Sequence, residues 1–130
     1  MVFVCSCRQY FTVFFCAFVL LLRGYKMYYI YVLRCEDNSL YTGIATDWKK
    51  RFEEHRTCGP KCAKYTRSHK VISVETLWKT LEKSNALKAE RFFKTFSKQA
   101  KEEFVKYPDK FVEVFNIKYD NAIIETEKMD

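Results

Sequence analysis

The sequence predicts an α+β domain, a mainly antiparallel three-stranded sheet flanked by helices in the order β-β-α-β-α. Three observations carry that expectation. Two strand-like runs, YYIYVLR at 28–34 and LYTGIA at 40–45, flank the turn-forming EDNS. A third β-branched run, VISVETLW, occupies 71–78. Between 85 and 104, Ala86, Ala89, Phe93, Phe96 and Ala100 recur at helical spacing. A chain of 130 residues suits one domain with a modest core.

The chain opens on a segment that does not fit this scheme. Residues 11–22, FTVFFCAFVLLL, are uncharged. The run is short of the roughly 20 apolar residues that span a bilayer. It has the length of a signal-peptide core, yet only Arg8 precedes it and no small-x-small cleavage site follows. Three readings of residues 1–26 stand: a dispensable or mis-assigned leader with Met27 as the start, a membrane anchor through 11–22, or a signal peptide. The main domain is expected over 27–107, with 108–130 as an acidic tail that adds an extra strand or arm at 111–119.

Within the domain, 28–45 reads as a β-hairpin. Side chains alternate along strands. Tyr31 and Tyr41 therefore share a face only if the loop has an odd number of residues. A three-residue loop, Asp37–Asn38–Ser39, pairs Glu36 with Leu40 and sets Cys35 opposite Tyr41, with Asn38 or Ser39 left-handed. Thr46 or Asp47 caps a helix over 48–56, in which Trp48 and Phe52 share one face. TCGPKCAKYTRSHK at 57–70 reads as a basic loop broken by Gly59-Pro60. Ser84 caps the long helix and Pro108 follows its end.

Charge is concentrated. The net charge is +7, and residues 47–70 alone hold eight Lys/Arg against three acids. Residues 107–130 are net acidic. A local basic stretch suits a phosphate-bearing partner better than a high overall pI does. Six cysteines, Cys5, Cys7, Cys16, Cys35, Cys58 and Cys62, form no regular framework and point to reduced thiols in an intracellular protein.

Five pieces in order now carry a resemblance: YIY at 29–31, YTG at 41–43, Arg51 in DWKKRFEEH, AKYTRSH at 63–69, and NALKAERFFKTFSKQAKEEFV at 85–105. Residues 27–107 resemble the GIY-YIG nuclease superfamily, in particular its small stand-alone members of bacteria and baculoviruses. Tyr29 stands where the family name has its first glycine, and Thr42 takes the middle of the second motif. EEFV replaces a downstream asparagine of larger members.

The resemblance implies a metal-dependent DNA endonuclease acting on structured or branched DNA in repair or recombination. Tyr31 would activate or orient water, with Tyr41 beside it. Glu90 would be the single ligand of one Mg²⁺ or Mn²⁺ ion. A free phenol titrates near pH 10, so cations nearby are expected to lower Tyr31. Arg51 offers a fork of donors for transition-state charge. His55, one turn on, either moves a proton, holds a phosphate or is a solvated helix-end histidine. Gly43 leaves room for a phosphate or a packed helix, or marks a bulge. Lys49, Lys50, Lys64, Tyr65, Arg67 and His69 supply the aromatic and basic mix of a DNA-binding surface. DNA is the expected partner of a monomer, with a membrane as partner only if 11–22 is an anchor.

Two other readings remain open. His55, Cys58, Cys62 and His69 have the chemistry of a zinc set, although not a standard spacing. A non-catalytic nucleic-acid-binding module on the same fold is the other.

Overall fold

The computed structural model describes residues 24–129. The expectations for residues 1–23 lie outside the described residues, and so do Cys5, Cys7 and Cys16. Four antiparallel strands form one sheet in the order β2-β1-β3-β4: β1 Tyr28–Cys35, β2 Leu40–Ala45, β3 Val71–Thr80 and β4 Glu125–Glu127. Five helices accompany it among the described residues: α1 Trp48–Thr57, α2 Lys64–Ser68, α3 Lys83–Lys94, α4 Lys98–Lys106 and α5 Pro108–Lys118. The mixed, antiparallel fold class is as expected, with one more strand.

The hairpin loop has three residues, one position earlier than expected. Cys35 N–H donates to the Ser39 carbonyl at 2.9 Å, leaving Glu36–Asp37–Asn38 as the loop. Asn38 takes the left-handed conformation, φ 67°, as such loops require. The shift puts Leu33, not Cys35, opposite Tyr41, and sets Tyr31 opposite Gly43. Because the loop is still odd, the two tyrosines keep a common face.

β1 is covered on both sides, and its alternation sorts two clusters. Ile30 and Val32 join Trp78 beneath α3, α4 and α5. Tyr31, Leu33 and Cys35 face the opposite way, with Trp48 and Phe52 of α1 packed against them. The first cluster is the main core. The second is the floor on which the candidate site stands.

Five other expectations need correction. Ser84 does not cap α3, which already starts at Lys83 after Glu82, and the basic stretch 57–70 is not all loop, since it contains α2. The helix proposed over 85–104 is two helices. Thr95 turns its hydroxyl onto the Phe92 carbonyl at 2.6 Å, and Ser97 starts α4 by accepting from Ala100 N–H. Short polar side chains that bond their own backbone interrupt helices in this way. Residues 111–119 are not a strand. Pro108 is tolerated in the first turn of α5, and Phe111 and Phe115, one turn apart, are both fully buried. The alternation in FVEVF misled because Val112 and Val114 are only partly buried beside them. Nor is the C-terminal segment a peripheral tail: Ala122 and Ile124 enter the main core, and β4 pairs with β3.

Candidate active site

β1 presents Tyr31 and β2 presents Tyr41 on the same face, ring centroids 6.4 Å apart. Gly43 lies directly across from Tyr31. A Cβ built on Gly43 would stand 2.6 Å from the Tyr31 ring carbon that bears the hydroxyl. The glycine therefore makes room for the phenol itself, rather than for a phosphate or a helix, and no bulge interrupts the β1–β2 pairing there.

α1 begins where Asp47 accepts from Lys50 N–H at 3.1 Å. Arg51 and His55 follow one turn apart on the side facing the two tyrosines. His55 is 1% exposed, and so is no solvated helix-end residue. Its Nε2 lies 3.0 Å from the Tyr31 hydroxyl and its Nδ1 2.9 Å from Thr66 Oγ1. The proton positions follow from the donor inventory. Thr66 donates its own hydroxyl hydrogen to the Ala63 carbonyl at 3.0 Å. Its oxygen therefore accepts from His55 Nδ1–H. That leaves Nε2 with a lone pair, which accepts from the Tyr31 hydroxyl.

Burial pushes His55 down to about 4, aided by the positive charge of Arg51. Tyr31 moves the other way from the expectation. Burial raises it to about 12, reinforced by Tyr41 and only partly opposed by Arg51. The cations exist, but desolvation of a phenol that is 3% exposed outweighs them. The two shifts point the same way, against moving the phenol proton onto the imidazole at rest. Both groups are thus neutral at rest. Burial also raises Tyr41.

Arg51 is half-buried. Its Nη1 donates to Glu54 at 2.8 Å and to the Lys61 carbonyl at 2.7 Å. That leaves three N–H donors for Tyr31 and for phosphate oxygens. Glu90, on α3, is near enough for its charge to raise both Tyr31 and Tyr41. Its side chain is 18% exposed and accepts from Lys94 at 2.7 Å. Glu54 is taken up by Arg51, so Glu90 is the carboxylate left to offer a hard oxygen ligand to a divalent cation that keeps most of its waters. The Lys94 ammonium marks where positive charge is already held. Tyr31, Tyr41, Arg51, His55 and Glu90 are therefore brought together.

The remaining candidates divide. Tyr65 is sandwiched between Tyr41, at 5.9 Å and 18°, and His69, at 4.0 Å and 3°. His69 Nε2 lies 3.5 Å from Asp37. Lys49, Lys50, Lys64 and Arg67 are exposed. The Lys49 amine sits over the Trp48 ring, and Arg67 reaches the Pro60 carbonyl. The zinc set does not assemble. Both His55 nitrogens are engaged, His69 is stacked on Tyr65, and no three His, Cys, Asp or Glu side chains group as a metal site among the described residues. Cys58 and Cys62 do meet, Sγ to Sγ 3.3 Å.

The sequence reasoning passed over Thr66 as a partner of His55. Eleven residues separate them, on different helices, and no periodicity links such a pair. The Lys94 link to Glu90 was readable, because the two are four apart on one helix.

Comparison with known proteins gives the family. Residues 27–103 match the family model described as the GIY-YIG catalytic domain. A UPF0213 protein of Fusobacterium nucleatum is 46% identical over 85 residues, 65% of this chain and 83% of the relative. Another, of Cupriavidus necator, is 47% identical over 77 residues, covering 59% and 82%. The solution structure of a UPF0213 protein from Bacillus halodurans shows 34% identity over 62% of this chain and 83% of that one, with a TM-score of 0.38. With the motif residues meeting on one face and the match spanning more than half its length, the chain belongs to the GIY-YIG catalytic domain family, alongside the UPF0213 proteins.

Proposed function

We propose that this protein is a metal-dependent endonuclease that hydrolyses phosphodiester bonds in structured or branched DNA. One observation carries the reading: the Tyr31 hydroxyl bonds to a neutral, buried His55, with Arg51 on the same phenol and the charge of Glu90 within reach of it. A water oxygen attacks phosphorus and the bond to the leaving oxygen breaks. As the water loses its proton to Tyr31 Oη, the Tyr31 proton moves to His55 Nε2. The leaving oxygen is protonated from solvent, and the proton on His55 Nε2 then passes back through Tyr31 Oη to solvent, restoring the neutral pair. Tyr31 thus works as a relay and never needs to exist as free phenolate. This avoids the cost set by its raised pKa.

Arg51 binds the phosphate oxygens where negative charge builds. Thr66 holds the imidazole in the tautomer that can accept. A divalent cation, when bound, would be held by Glu90 and would supply charge neutralisation at the phosphate. The exposed lysines of α1 and α2 track the DNA backbone.

The test is Mg²⁺-dependent cleavage of branched, flapped and linear DNA. Wild type should cut at least one. Tyr31→Phe and Glu90→Ala should each lose roughly 10²–10⁴-fold. Equal nicking by all three proteins would discard the reading. Tight binding without cleavage would favour the non-catalytic binding module, in keeping with the Tyr31 phenol at about 12 and the Glu90–Lys94 pair.

A further inference from the structure

Beneath the site lies a pair of thiols that the proposed chemistry does not use. Cys58 ends α1 in the left-handed conformation, φ 52°. This turns the chain so that its sulfur meets Cys62 across Gly59-Pro60, Sγ to Sγ 3.3 Å. Cys58 is exposed and Cys62 is buried, and both are free thiols. A disulfide needs the sulfurs at about 2.0 Å, so closure calls for just over 1 Å of movement.

The loop that would move is tied to two groups of the site. Cys62 Sγ lies 3.0 Å from Thr66 Oγ1, the atom that accepts from His55. The Lys61 carbonyl accepts from Arg51 at 2.7 Å. We infer that Cys58 and Cys62 form a reversible thiol–disulfide site whose oxidation by a small disulfide perturbs His55 and Arg51 and shuts the active site down. Its effect on activity rests on the nuclease reading; the modification itself does not.

The step balances as two exchanges. The exposed Cys58, having lost its proton to solvent, attacks one sulfur of the small disulfide, and one thiol leaves. Cys62, deprotonated in turn, attacks Cys58 Sγ and expels the second thiol. Two protein thiols are oxidised and one small disulfide is reduced to two thiols. The Cys62 sulfur then carries no hydrogen for Thr66 and is drawn toward Cys58.

The full-length chain is equilibrated in glutathione buffers from fully reduced to fully oxidised, alkylated and digested with trypsin. Cleavage after Lys61 lets the bridge appear as Thr57–Lys61 joined to Cys62–Lys64. Intact aliquots of each buffer, labelled with ¹⁵N-histidine and withdrawn before digestion, report the His55 ring and DNA cleavage. The inference expects the joined peptides, a shifted His55 Nε2 resonance, and DNA cleavage slowed roughly 10-fold or more and restored by dithiothreitol. Cys58→Ser should show none of these while keeping the reduced rate. No joined peptide in any buffer, or a joined peptide with His55 unmoved, would overturn it. A reduced protein that cuts no DNA would count against the nuclease reading alone, since the peptide and His55 signals are read without cleavage.

Discussion

Gly43 and Tyr31 act as one unit across two strands. Gly43→Ala drives a methyl into the phenol ring. Forced into a packed site it should cost about 1–3 kcal/mol and displace the hydroxyl from His55, so cleavage should fall more than the melting temperature suggests. Thr66→Val keeps the shape but removes the oxygen that accepts from His55 Nδ1–H. Stability should drop by about 1–3 kcal/mol and the ¹⁵N spectrum should show His55 losing its fixed tautomer, whereas Thr66→Ser should retain it. The pH profile follows from the same residue. His55 is held down near 4, against an ordinary 6.5, so the unfolded chain binds more protons between those values. The stability this contributes is present above about pH 6.5 and is lost as pH falls toward 4, up to about 3 kcal/mol. Urea titrations at pH 7 and pH 4.5 should show that loss in wild type and a smaller one in His55→Asn.

At the scale of elements, the sequence was most readable where local chemistry decides. Turn residues and parity placed the two tyrosines on one face, and the three-residue loop erred by only one position because Glu36 is as acceptable in a loop as Ser39. Trp48 and Phe52 found their face, because residues four apart must. The C-terminal third was harder. FVEVF satisfies both a period of two and a helical pair at Phe111 and Phe115. Only the packing of both rings near Trp78, whose indole N–H reaches the Pro108 carbonyl at 3.0 Å, selects the helix. Phe111→Ala should therefore cost about 3–5 kcal/mol, measurable by chemical denaturation. A chain ended at Tyr107 should fail to fold. If residues 108–129 were a peripheral arm, both changes would be nearly silent.

For the whole molecule, the motifs spread from Tyr29 to Glu90 make sense only as one surface. β1 is central in the sheet, so its two faces serve different ends. One seals the core under α3–α5. The other carries Tyr31 toward α1 and α2, whose helices bring His55 and Thr66 from positions no spacing rule connects. That is why Tyr31, Tyr41, Arg51 and Glu90 were legible through resemblance, while the direction of the Tyr31 shift and the role of Thr66 required three dimensions. No helix among the described residues is long and apolar enough to cross a membrane.

The central claim is that Tyr31 and His55 operate as a single proton relay. Single-turnover DNA cleavage by wild type, Tyr31→Phe, His55→Ala and the double variant tests it most directly. Groups that act as a unit lose their function together, so the double variant should be no slower than the slower single one. Losses that multiply, or a Tyr31→Phe protein that cuts as fast as wild type, would contradict it.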